Sequence, residues 1–141
     1  VLLTFGGADP AGLSDRCGKV LDGLGPVQHL PPDTSFSMAH AMRENDLVVT
    51  SQGRTVFEAA ASGTPCISIA ANEREARHVR LPGVTYLGLH AMVTDDQLRQ
   101  VVGSLLSDVD LRAENAQAAR QAVDGRGLDR LVRAIEGLAV S

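Results

Sequence analysis

Ser51-Gln52-Gly53-Arg54-Thr55 joins an apolar stretch of strand character to an apolar stretch of helix character. The first residues of a helix carry backbone N–H groups with no intrahelical acceptor, and the helix dipole adds partial positive charge there. Such a start suits a phosphate. Gly53 lets a bulky anion approach the backbone. Arg54 and the hydroxyls of Ser51 and Thr55 can add donors. The plainer reading is that Ser51 caps the helix. Glu58 is the lone acid among Val56, Phe57, Ala59, Ala60 and Ala61. It follows Arg54 by one turn, so the two can form a surface ion pair worth about 0.2–0.5 kcal/mol. A second reading uses the rise of one turn, about 5.4 Å. A ribose attached to a diphosphate at the helix start lies about that far along. A carboxylate can accept hydrogen bonds from both of its vicinal hydroxyls.

Two other loops carry polar or glycine residues. Gly6-Gly7-Ala8-Asp9-Pro10 reads as a glycine turn after a strand. It is neither G-x-G-x-x-G nor a phosphate loop ending in Gly-Lys-Ser/Thr. Asn72-Glu73-Arg74-Glu75 matches a capping box, Asn72 with Glu75. If it also meets a ligand, its acids argue against phosphate and for a hydroxyl-rich sugar.

These loops need elements to hold them. Strand patterns cover residues 1–5, 27–30, 46–50, 66–70 and 84–87. Helix patterns cover residues 13–24, 35–43, 54–62, 73–79, 95–107, 111–123 and 128–138, with Gly63 stopping the third. Met38, Met42, Phe36 and Phe57 read as core, and the charges of residues 95–133 as solvated helix faces. The strands are continuously apolar and alternate with helices. That predicts an α/β fold, a Rossmann-like parallel sheet with helices on both faces. In such folds ligands bind beyond the carboxyl ends of the strands, where all three loops open.

Composition excludes several classes. The 141 residues suit one domain, and the net charge of −4 gives no nucleic-acid-binding footprint. No apolar run approaches the roughly 18 residues of a membrane span. Cys17 and Cys66 read as two buried thiols suited to a reducing cytosol, so a cytoplasmic location is expected. The histidines lack metal-ligand spacing. Val1 opens inside a strand pattern without an initiator Met. The chain is therefore expected to be a fragment, residues 1–141 forming one domain.

Three segments, "LLTFGGADP", "DLVVTSQGRTVFEAAASGTPCISIAANEREARH" and "GVTYLGLH", resemble the C-terminal nucleotide-sugar-binding domain of GT-B-fold enzymes. The resemblance covers roughly residues 1–90. It points to the UDP-sugar hydrolases of pseudaminic acid biosynthesis and to the glycosyltransferase-like proteins of spore-coat polysaccharide biosynthesis. It implies the Rossmann-like C-terminal half of a two-domain GT-B enzyme, its nucleotide-diphosphate sugar, expected to be UDP-linked, held in the cleft against an N-terminal domain. It places Gly7 near the diphosphate, Ser51, Gly53, Arg54 and Thr55 on the phosphates, and Glu58 on the ribose. Asn72 and Glu73 take the place of a sugar-proximal Asn-Gln pair, with Glu73 where the hydrolases often have Gln. Hydrolysis and glycosyl transfer both stay open. In the hydrolases the water-activating base is a histidine of the N-terminal domain, so no catalytic residue is assigned to this chain and the isolated fragment is expected to be inactive. No cofactor or metal is implied. Two rivals are a non-catalytic nucleotide-binding or regulatory module of the same fold and an NAD-type oxidoreductase. The missing G-x-G-x-x-G disfavours the latter.

Overall fold

The computed structural model describes residues 1–6, 8–30 and 37–139. Five strands, β1 (Leu2–Thr4), β2 (Gln28–His29), β3 (Val48–Ser51), β4 (Cys66–Ala70) and β5 (Val84–Leu89), form one parallel sheet in the order β2-β1-β3-β4-β5. Seven helices are described: α1 (Leu13–Val20), α2 (Met38–Arg43), α3 (Thr55–Ser62), α4 (Glu73–Ala76), α5 (Asp95–Ser107), α6 (Val109–Ala122) and α7 (Gly127–Ala139). The fold is thus α/β and Rossmann-like, as the strand pattern implies.

Both faces of the central strands are covered, which is why their sequences are apolar without alternation. Leu3, Val49, Ile67 and Ile69 face one layer, packing with Leu13 and Cys17 of α1 and Leu98 and Val102 of α5. Leu2, Val48 and Cys66 face the other, packing with Met42 of α2 and Ala59 of α3. The order reverses between β1 and β3: the chain leaves β1 toward β2, then returns past β1 to build β3, β4 and β5. A crevice opens beyond the carboxyl ends of strands at such a reversal. There the Thr50 hydroxyl donates to the Thr4 carbonyl at 2.6 Å, tying β3 to β1.

Several expected boundaries shift. The first helix stops at Val20, where Leu21 and Leu24 close turns rather than extend it. The fourth stops at Ala76. The sixth begins earlier, at Val109, because the Asp108 carboxylate accepts from Leu111 N–H and caps it. Phe57 is not core but 42% exposed, since α3 presents only Val56, Ala59 and Ala60 inward. Met42 is fully buried and Met38 packs at the edge of its cluster; Phe36 lies outside the described residues. The charged residues of 95–133 are exposed, as read, except the half-buried Arg112. Arg99 donates to the Val20 and Asp22 carbonyls behind α1, and Arg112 to the carbonyls of Leu105 and Leu106. α7 is amphipathic, yet it buries no residue and leaves Leu128, Leu131, Val132, Ile135 and Leu138 exposed. No helix among the described residues is long and apolar enough to cross a membrane.

Candidate nucleotide site at the carboxyl edge of the sheet

The loop between β3 and α3 lies on one side of the switch point. Ser51 ends β3, opposite Ile69 of β4. Gly53 N–H turns back onto the Ser51 carbonyl at 2.8 Å, and Arg54 is the residue before the helix. Ser51 is not a cap, for no side chain accepts a hydrogen bond at this helix start. The backbone N–H groups of Arg54 and Thr55 have no acceptor among the described residues. Two unpaired donors therefore meet the positive end of the α3 dipole.

The starts of α1, α4 and α5 differ. At α1 the Asp9 carboxylate accepts from Leu13 N–H at 2.9 Å and from Ser14 N–H at 2.8 Å. That carboxylate, held at a residue with φ of 31°, fills the place an anion would take. Thr94 caps α5 through Gln97 N–H. Asn72 caps α4, accepting from Glu75 N–H at 2.9 Å, while the Glu75 carboxylate accepts from Ala71 N–H at 2.8 Å. The capping-box reading of residues 72–75 is thus realised, with Glu75 reaching one residue beyond the cap. The Asn72 carbonyl oxygen is engaged, and its amide N–H groups remain for a ligand.

Gly53 has no structural need to be glycine. Its φ lies outside the left-handed region, and an added Cβ meets only Ser51 Oγ, at an ordinary 3.5 Å. Glu58 lies one turn beyond Arg54 and is exposed. The two form no ion pair: those among the described residues are Arg16–Asp95, Arg126–Asp129 and Arg130–Asp124. Arg54, Glu58, Asn72 and Glu73 are all exposed, and Ser51, Gly53 and Thr55 half-buried. On α3, Phe57, Glu58 and Ala61 are exposed. Gly7 lies outside the described residues.

One residue of the loop carries more structure than its place in the sequence suggests. Gln52, 2% exposed, lies beneath the loop. Its Nε2 donates to the Val79 carbonyl at 2.9 Å, and its Oε1 accepts from Ser68 Oγ at 2.5 Å. Its backbone N–H donates to Ile69, and its carbonyl meets His78 Nδ1 at 2.7 Å. The available signal was an amide between a buried strand and an apolar helix, where burial demands partners. His78 had no such signal, because its partner is 26 residues away.

Among proteins of known role, the spore coat polysaccharide biosynthesis protein SpsG of Bacillus subtilis (strain 168) is 26% identical over 105 residues. The alignment takes in 72% of this chain and 31% of that protein, so the chain spans about a third of its relative's length. No protein-family model matches the chain. The relationship is a distant one, to a protein of polysaccharide biosynthesis.

Proposed function

We propose that this chain binds a nucleotide-diphosphate sugar, expected to be UDP-linked, as the donor-binding half of a GT-B enzyme. The enzyme would be a glycosyltransferase or UDP-sugar hydrolase of surface polysaccharide or nonulosonic acid biosynthesis. One observation carries the reading: the α3 start, beside the β1/β3 switch point, has two backbone donors without acceptors among the described residues. The distant similarity to a polysaccharide biosynthesis protein points the same way.

In this reading Ser51, Gly53, Arg54 and Thr55 hold the diphosphate, with Gly7 near it. Glu58 accepts the ribose hydroxyls, and its lack of an ion-pair partner leaves the carboxylate available. Asn72 and Glu73 meet the sugar, Asn72 through its amide N–H groups. When the bond from anomeric carbon to diphosphate breaks, negative charge grows on the leaving diphosphate. Fixed N–H dipoles and Arg54 at the α3 start stabilise that charge without reorganising. The groups that activate water or an acceptor belong to an N-terminal domain packed across the cleft.

The test is a titration of the chain with UDP, UMP and uridine, followed by NMR shifts, which read weak binding. UDP should bind more tightly than UMP. Glu58→Ala should weaken UDP about tenfold, the worth of one pair of charged hydrogen bonds. Equal affinity for UDP and UMP would remove the diphosphate assignment, and unchanged binding by Glu58→Ala would remove the ribose role.

A further inference from the structure

We propose that Gln52 is the positioning residue of the diphosphate loop, holding the donors of residues 53–55 in the geometry an anion requires; the inference rests on the nucleotide reading above. Gln52 never meets the ligand, being buried beneath the loop. All four of its polar groups are engaged, and they reach two different segments. Its N–H bonds Ile69 and its Oε1 bonds Ser68, both on β4. Its Nε2 bonds Val79, and its carbonyl bonds His78, both in the crossover toward β5.

Geometry makes this more than packing. The Gln52 carbonyl belongs to the peptide unit whose N–H is that of Gly53. His78 on that carbonyl, together with the Gly53 N–H bond to Ser51, fixes the rotation of that plane. The next two peptide planes carry the N–H groups of Arg54 and Thr55, which have no other acceptor among the described residues. Their direction is therefore inherited from Gln52. A methionine fills the same volume without the hydrogen bonds. It leaves the Val79 carbonyl and the Ser68 hydroxyl to find other partners, and it frees the loop to turn.

The experiment compares UDP and UMP binding by NMR titration in the wild-type chain, Gln52→Met, Ser68→Ala and Ile67→Val. Ile67 is fully buried in the same strand as Ser68 and lacks any bond to the loop, so Ile67→Val measures loss of stability alone. Gln52→Met should lose about tenfold in UDP affinity and little for UMP, one charge-assisted hydrogen bond's worth. Ser68→Ala, which removes one of the two side-chain bonds, should show the same selective loss at about a third of that factor. Ile67→Val should leave both affinities unchanged. A folded Gln52→Met that keeps the wild-type preference for UDP overturns the proposal. If Gln52→Met does not fold, wild-type UDP preference in Ser68→Ala overturns it instead. A wild-type chain with no preference for UDP is a different result: it removes the nucleotide reading itself.

Discussion

Gly53 separates two reasons for a glycine. At Gly63 the backbone demands it: φ is 71°, Gly63 N–H bonds Ala60 and Thr64 N–H bonds Ala59, the paired closure that ends α3. At Gly53 neither φ nor packing demands it, and in the proposed function the glycine leaves space for the ligand. Gly53→Ala should therefore change stability by no more than about 0.5 kcal/mol, while weakening UDP binding several-fold. Denaturant melts and the UDP titration check the two halves separately, and a large loss of stability would mean the glycine is structural after all. Gly53, Arg54, Thr55 and Glu58 were legible as candidates in sequence because the loop is contiguous. The absence of the Arg54–Glu58 pair was not legible, since spacing permits that contact and only side-chain placement decides it.

At the scale of elements, close approach between helix and strand sets the strongest demand. Gly83 precedes β5 at φ of 75°, and a Cβ there would stand 2.0 Å from the Asn115 carbonyl oxygen and 2.8 Å from Ala119 N of α6. Backbone atoms cannot step aside as a flexible side chain can. Gly83→Ala should cost about 1–3 kcal/mol through crowding, with left-handed strain of about 1–2 kcal/mol added. Denaturant melts should show a clear fall in midpoint with far-ultraviolet circular dichroism retained. A neutral result would mean that α6 does not sit against β5 in this way. Helix existence was legible from periodicity, but ends were not. Asp108 begins α6 two residues early through a cap that hydrophobic periodicity does not show.

Across the whole molecule the sheet separates two layers, and each has one thiol beneath it: Cys17 on the α1–α5 side and Cys66 on the α2–α3 side. Burial pushes both thiols up to about 12, with Arg16 partly opposing it at Cys17 and Asp9 and Asp95 adding to it. Each folded thiol thus holds its proton where the unfolded one, near 9.0, releases it. The corresponding stability is fully present below about pH 9 and is lost as pH rises toward about 12. Both cysteines should be silent to a thiol reagent at pH 8 in the folded chain. In rising denaturant they should react over one shared transition if the layers unfold together. Two separate midpoints would show that one face opens without the other.

Taken alone, the sequence determined the α/β class, the parallel sheet and the strand-to-helix loop at residues 51–55. Hydrophobic runs, glycine stops and helix starts are local features that backbone chemistry expresses wherever they occur. The tertiary structure decided that the α3 start carries no side-chain cap and which face of α3 meets solvent. It also brought Gln52, Ser68, His78 and Val79 together beneath the loop. Those outcomes depend on burial and on partners distant in sequence. A buried amide must be satisfied by whatever the fold sets beside it, and no spacing along the chain specifies what that will be.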